Sequence, residues 1–539
     1  LGRQRIAHAS GIPLSAVNTR SMKTAEASSP TALSGPAPAP SYTLPAAMDN
    51  STLSAFPPIG NQGSLGSCAS FSTTYYMLTH MTALARGWNA KTGGNAYRFS
   101  TRLTYNMING GSNSGSSRSG AITFMSRHGG MLLAEWPYDS NYRIWPTAAS
   151  KWRNALSRKV AAYGTINGFD TEEGLDILKQ MIVNGHVLTF GTGNPSSEWL
   201  TRDMGGTKIV YLYDNTLGSG AHAMTIVGYD DDLWCDVNNN SSVDPGEKGC
   251  LKIANSWGTT SGYGMNSGYY WISYDALRSE TAVSGWTPPA GRSAAFGSAN
   301  WIQVPSADYR PELVCEFTVR HPRRRWMVLS TGKADQTESL PETVHSSYNL
   351  RYAGGEYAFD GTTTVCSGSF VLDMSPLLPD YGVPKRYFLT MQSSNGGGED
   401  RIIDMVLKDA DGTLLASASN IPVDAADSTV HAYADLTLVP GAADTVTVSV
   451  IDSDAAESGP DTGTVRISRT GSSGDMHVNI TTGGAASATD YSVFCGGAPV
   501  MGTVLIPDGS LSADLDVVPV DDRILEDSES VTLTVTRSA

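Results

Sequence analysis

Six residues before a cysteine, this chain carries a glutamine: the stretch Pro57-Pro-Ile-Gly-Asn-Gln-Gly-Ser-Leu-Gly-Ser-Cys-Ala-Ser-Phe71 sets Gln62 ahead of Cys68. Phe71, Tyr75, Leu78, Thr82 and Ala85 then recur at helical spacing up to Arg86, and Gly87 follows as a stop. The pattern predicts an amphipathic helix with Cys68 at its N-terminus, where the positive end of the macrodipole favours thiolate. A thiolate so placed is a nucleophile, and the Gln62 amide beside it is a donor for the oxyanion that nucleophilic attack creates. A lone cysteine is otherwise a small hydrophobe, so the chemistry requires a base.

The base on offer is His222, in Gly218-Ser-Gly-Ala-His-Ala-Met-Thr-Ile-Val-Gly-Tyr229. Small residues before it and an alternating apolar run after it predict an exposed turn entering a strand. A second strand, Leu251-Lys-Ile-Ala-Asn-Ser-Trp-Gly258, ends on Asn255 and Trp257. An amide there holds an imidazole in one orientation, and an indole shields that contact from water. His80, His128 and His186 lack such surroundings and are expected in the core or on the surface. Tyr75-Tyr76 and Tyr269-Tyr270 are expected to pack.

Gln62, Cys68, His222, Asn255 and Trp257 occur in the order and local contexts of the papain-like cysteine peptidases, which residues 44–274 resemble. The resemblance implies an α+β fold, a helical lobe plus a β-barrel lobe, and peptide-bond hydrolysis through an acyl-enzyme. By that resemblance Cys68 attacks and His222 takes and returns the proton. Asn255 orients the ring, and the Gln62 amide with the Cys68 backbone N–H forms the oxyanion hole. Leu65 stands where plant and lysosomal members have a cysteine, and Ala69 where they have a tryptophan. The disulfide that staples their helical lobe is therefore missing, which points to a bacterial branch. Asn109 to Gly120 is a loose counterpart of the family's glycine-rich cleft loop.

Between base and orienting amide lies Cys235-Asp-Val-Asn-Asn-Asn-Ser-Ser-Val-Asp-Pro-Gly-Glu-Lys-Gly-Cys250. Counted from Asp236, oxygen-bearing side chains fall at positions 1, 3, 5, 9 and 12 as Asp236, Asn238, Asn240, Asp244 and Glu247, with Ser242 at position 7. This is the ligand spacing of an EF-hand-type calcium loop, with Ser241 where glycine usually makes the sharp turn. The alternative is a polar hairpin. Either way a Cys235–Cys250 disulfide is expected to close it; Cys315 and Cys366 are candidates for a second, and Cys495 is left over. Paired cysteines would place the chain in an oxidising compartment, outside the cell.

The chain has 539 residues and a formal net charge of −15. That length predicts about three domains, and the acidic balance argues against nucleic acid as a partner. The sequence holds no apolar run near the length of a membrane span. Residues 1–43 are rich in Ala, Ser and Pro and are expected to be an extended pro-segment or leader tail. Leu1, with no charged-then-apolar leader after it, fits an export signal already removed. Residues 44–287 make the peptidase domain.

From 288 to 440 short alternating runs bounded by Gly, Asp, Ser and Pro predict a β-sandwich or jelly roll acting as an accessory module. Residues 441–539 resemble a Calx-β domain through Ser487-Ala-Thr-Asp-Tyr491 and Val520-Asp-Asp-Arg-Ile-Leu-Glu-Asp-Ser-Glu529. That resemblance implies a sandwich binding calcium through Glu457, Asp490, Asp521, Asp522, Glu526 and Glu529 and the Ile524 carbonyl. The whole reads as a secreted, calcium-stabilised cysteine endopeptidase acting on proteins or peptides, with no organic cofactor. Its C-terminal sandwiches would be spacers or would meet cell-surface or matrix ligands. The alternative is an extracellular adhesion protein with a degenerate peptidase fold.

Overall fold

The computed structural model describes residues 3–6 and 44–537 apart from 219, 261–266, 306, 379, 439–445, 457–460, 470–474, 488–489, 501, 508–509 and 521–528. The chain divides into two compact units, one of residues 29–438 and one formed by 1–28 with 439–539.

In the larger unit the helix predicted after Cys68 is present. It begins as Cys68–Ser70, widens to i→i+5 turns over Phe71–Leu78, and returns to α geometry over Thr79–Arg86. Gly87 ends it with φ 64°, the left-handed cap that glycine adopts without strain. Its expected amphipathic character is corrected, because every residue from Ala69 to Ala83 is buried. The polar side faces protein rather than water. Ser72 and Thr73 hydroxyls donate back to the Ala69 carbonyl at 3.0 and 2.7 Å. Thr189 donates to Ser72 Oγ at 2.8 Å, and Thr225 to the Ser72 carbonyl at 3.2 Å. Short hydroxyl side chains can be buried at such a seam because each finds a partner.

Thr189 and Thr225 belong to a ten-stranded sheet. Its central strand, His222–Trp234, pairs antiparallel with Leu188–Thr192 on one side and Lys248–Ala254 on the other. The same sheet takes Arg292–Ser293 and Ser298–Gln303, the latter pairing with Ala162–Asn167. The expected boundary at 287/288 thus falls within this sheet. Short alternating runs at 292–303 resemble the strands that follow, and only the pairing tells them apart.

Residues 314–437 form two antiparallel sheets. One orders Cys366–Asp373, Val314–His321, Arg401–Lys408 and Leu414–Ser417, with Val423–Asp424 also on Arg401–Lys408. The other orders Thr343–Arg351, Met327–Asp335, Pro384–Ser393 and Thr429–Thr437. The Asp411-Gly412 turn falls as predicted, with Gly412 at φ 86°.

The apolar sides of these sheets meet in a core that is continuous with the helical lobe. Trp152 packs on Phe370 with ring centroids 5.3 Å apart, and the Trp145 backbone N–H donates to the Phe359 carbonyl at 2.9 Å. Arg324 stacks 4.5 Å from the Trp145 ring, and Lys159 pairs with Asp373 at 3.0 Å. The region expected to be an appendage therefore completes the core of the helical lobe.

The cysteine pairings are corrected. All six cysteines are free thiols. Across their shared ladder Cys315 faces Leu372 while Cys366 faces His321. Six residues along a strand is about 20 Å, beyond any disulfide. Cys235 and Cys250 pack in one small buried cluster as free thiols, and the Cys250 thiol donates to the Leu233 carbonyl at 3.5 Å.

The smaller unit has two five-stranded sheets around one core. Within the segment 1–43, expected to be a largely extended pro-segment or leader tail, Arg3–Ile6 is a strand lying between Asp454–Ala456 and Ser530–Arg537. Residues 7–43 lie outside the described residues.

Candidate active site

Gln62 is held in place from both sides. Asn61 bridges to Trp257, and the Gln62 backbone N–H donates to the Ser256 carbonyl at 2.8 Å. Its side chain is buried, 8% exposed. Oε1 accepts from the Ser256 hydroxyl at 2.6 Å, and Nε2 donates one hydrogen to the Leu65 carbonyl at 2.8 Å. With both the oxygen and one hydrogen committed, the amide orientation is fixed. The second N–H stays available to a substrate oxygen.

Cys68 opens the helix behind Ser67, which makes no side-chain cap. Ser67 Oγ instead meets the Tyr138 hydroxyl at 2.7 Å, and that hydroxyl donates to the Gln62 carbonyl at 2.9 Å. The backbone amide of Ala223, next to His222, hydrogen-bonds the Cys68 sulfur. The nucleophile thus lies against the first turn of the strand that carries the base. Burial pushes the thiol up, opposed by the amides of Ala223, Ala69 and Cys68 itself. The expectation of a thiol lowered outright by the helix terminus is corrected: desolvation outweighs the amides.

His222 begins its strand as predicted, but it is buried rather than exposed, at 7%. Nε2 meets Asn255 Oδ1 at 2.7 Å, so the carbonyl oxygen fixes that nitrogen as a donor and leaves Nδ1 for the reaction. The Trp257 ring lies 4.6 Å from the imidazole, tilted by 35°. Burial lowers the imidazole to about 4, opposed by the Asn255 bond. Desolvation penalises either ion alone. Proton transfer from Cys68 to His222 leaves no net charge, so the pair reacts as a unit.

Residues 44–284 match the papain family of cysteine proteases. These residues are a papain-family cysteine protease domain. The chain is a cysteine peptidase. No curated protein matches it. Among solved structures it is similar to digestive procathepsin L 3 of Tenebrio molitor larval midgut, at 17% identity over 51% of this chain and 75% of that one, TM-score 0.33. It is also similar to xylellain from Xylella fastidiosa, at 20% identity over 48% of this chain and 87% of that one, TM-score 0.33. The cysteine protease and lectin-like domains of Cwp84 from Clostridium difficile align over 73% of this chain and 89% of that one, at 18% identity and TM-score 0.34.

Sequence reasoning missed Ser256, Tyr138 and Tyr76 in this cysteine protease domain. Ser256 lies inside the Asn-Ser-Trp-Gly motif, so its position was on view while its role was not. Tyr76 packs as expected, yet its hydroxyl also donates to the Asn255 carbonyl at 2.6 Å. His80 and His128 are core residues; His80 meets the Gly185 carbonyl at 2.9 Å, and His128 lies against Phe124 and Trp152.

The 236–247 loop folds on its own carboxylates. Asp236 accepts the backbone N–H groups of Asn240 and Ser241, each at 3.0 Å. Glu247, fully buried, accepts Val237 N–H at 2.7 Å and Asp244 N–H at 2.9 Å. Asn238 and Asn240 turn their amide nitrogens onto Asp244, each at 2.6 Å. Ser241 takes φ 62° in the place where glycine is usual, and the Ser242 N–H donates to Asn240 Oδ1 at 2.8 Å. Among the described residues no group of three or more Asp, Glu, His or Cys side chains is spaced to hold a metal ion. Of the Calx-β-like set, Asp490 closes a turn on the Ser487 N–H at 2.7 Å and Glu529 precedes the Ser530–Arg537 strand. Glu457, Asp521, Asp522, Ile524 and Glu526 lie outside the described residues.

Proposed function

We propose that the chain is a secreted endopeptidase that cleaves polypeptides through an acyl-enzyme on Cys68. The observation that carries this is the Gln62 amide, which Ser256 and Leu65 orient with one hydrogen spare beside the nucleophile. His222 accepts the Cys68 proton as sulfur attacks the scissile carbonyl. The carbonyl oxygen, now an oxyanion, takes hydrogen bonds from Gln62 Nε2 and the Cys68 N–H. Collapse expels the amine, which leaves with the proton from His222. Water, deprotonated by His222, then releases the acid and restores the thiol. A degenerate adhesion module is disfavoured by a buried imidazole that still holds its orienting amide. Digestion of an unfolded protein, with products sequenced by mass spectrometry, tests the endopeptidase reading. Internal cuts are expected, and removal of terminal residues only would overturn it.

We further propose that calcium stabilises the 236–247 loop. Asp236 and Glu247 are buried carboxylates that no cationic side chain hydrogen-bonds among the described residues. A divalent cation held by Asp236, Asn238, Asn240, Ser242, Asp244 and Glu247 would offset that charge. Asn238 and Asn240 would have to turn their oxygens inward. Secretion fits the acidic balance and calcium supply, and no longer draws support from disulfides. The smaller unit is proposed as a Calx-β-like calcium-binding spacer or adhesive module.

A further inference from the structure

The glycine-rich loop reaches the nucleophile through one side chain. Asn113 Oδ1 accepts from the Gly66 backbone N–H at 2.8 Å and from the Tyr105 hydroxyl at 2.8 Å. Its Nδ2 donates to the Ser64 carbonyl at 3.0 Å. The backbones are close enough that a Cβ on Gly66 would stand 2.8 Å from the Gly115 nitrogen. One amide thus grips the chain on both sides of Leu65. The Leu65 carbonyl is the group that takes a hydrogen of Gln62 Nε2.

The grip is useful only if the loop behind it is rigid. Asn109 ties the loop, accepting the Gly111 N–H at 2.7 Å and donating to the Tyr142 carbonyl at 2.8 Å. On its far side a Cβ on Gly111 would meet the Gly354 carbonyl oxygen at 2.6 Å. That oxygen is itself held by the Arg324 guanidinium at 2.9 Å, and the Gly355 carbonyl by the Arg325 N–H at 3.2 Å. The loop is wedged between the sandwich and the residues that precede Cys68. No covalent staple joins Leu65 to it. Gly63 at φ 60° and Gly66 would otherwise leave this exposed stretch mobile.

We propose that Asn113 is a positioning residue for the oxyanion hole. It fixes Ser64 and Gly66, these fix the Leu65 carbonyl, and that carbonyl aims the free N–H of Gln62. The proposal rests on the reading of Gln62 as oxyanion donor.

The test compares Asn113→Ala, Asn113→Asp, Gln62→Ala and the Asn113→Ala/Gln62→Ala double variant on a peptide substrate. Enzyme is counted by active-site titration, and Cys68 alkylation by iodoacetamide is measured in parallel. That alkylation needs a thiolate but no oxyanion hole. Asn113→Ala is expected to lower kcat about tenfold or more with KM and alkylation rate within about twofold, the scale on which oriented oxyanion donors act. Asn113→Asp, which keeps the acceptor for Gly66, is expected between wild type and Asn113→Ala. The double variant is expected to be no slower than Gln62→Ala. Unchanged kcat in Asn113→Ala, or losses that multiply in the double variant, would overturn the proposal while leaving Gln62 its role. Full kcat in Gln62→Ala would instead remove the reading beneath it.

Discussion

Tyr76 Oη donates a 2.6 Å hydrogen bond to the backbone carbonyl of Asn255 and accepts one of 2.9 Å from the Gly60 N–H. One buried phenol therefore joins the helix that begins at Cys68 to the residue that orients His222 and to the stretch leading to Gln62. Desolvation keeps that phenol protonated, well above its ordinary value.

Tyr76→Phe keeps the ring and removes both bonds. The half-buried Gly60 N–H is left without its acceptor, at a cost of about 1 kcal/mol. The variant is expected to unfold at lower denaturant and to lose kcat several-fold, with KM little changed. Equal stability and rate would show that the phenol only packs.

Trp152→Ala tests whether the sandwich completes the helical lobe. The indole is 1% exposed, meets Phe370 and Phe124, and donates to the Pro146 carbonyl at 2.9 Å. Its removal is expected to cost about 3–5 kcal/mol. Loss of peptidase activity at the temperature where the sandwich melts is the outcome expected from a shared core; a peptidase transition separate from the sandwich is the opposite result.

Acid should destabilise this chain before its carboxylates titrate. Burial lowers His80 to about 4, His128 to about 3 and His222 to about 4. Unfolded, each binds a proton near pH 6.5. Between about pH 6.5 and 4 the unfolded state therefore holds more protons, and stability falls as pH falls, by about 1.4 kcal/mol per pH unit for each such group. Melting temperature followed across that window is expected to drop. His128→Phe, which removes an Nε2 with no hydrogen-bond partner among the described residues, is expected to make the drop shallower. An unchanged slope in that variant would count against the buried neutral imidazole.

Chelation addresses the 236–247 loop. If calcium binds only the folded chain, EDTA lowers the melting temperature and excess calcium restores it. Glu247→Gln, which sets an amide N–H against one of the backbone N–H groups that the carboxylate accepts, is expected to abolish the calcium response and to lower the melting temperature in chelator as well. Identical melting curves with chelator and with calcium would remove the metal from the account.

The residues that react were legible because their chemistry is carried by local motifs: Gln62 and Cys68 at a helix start, His222 at a strand start, Asn255 and Trp257 at a strand end. What supports them was not. Asn113, Tyr138 and Ser256 act through partners dozens to nearly two hundred residues away, and although Ser256 and Asn113 lie in stretches the sequence singled out, nothing local shows those partners. The helix misled in a different manner, because Ser72, Thr73 and Thr74 look like a solvated face until Thr189 and Thr225 bond Ser72, Thr73 turns back onto the Ala69 carbonyl and Thr74 meets Thr104. Cysteine spacing misled for Cys315 and Cys366, since their ladder register sets the two thiols far apart. Strands at 314–437 were legible from alternation and turns, whereas their union with the helical lobe depends on Trp145, Trp152 and Phe370 meeting in space.

Cys68 as nucleophile is tested by incubation with a peptidyl epoxide, mass spectrometry of the labelled chain, and hydrolysis measured on the same sample. One adduct is expected, on Cys68, with activity lost in proportion to labelling, and neither labelling nor hydrolysis in Cys68→Ala. Hydrolysis that survives in Cys68→Ala, or inactivation that leaves Cys68 unlabelled, would contradict it.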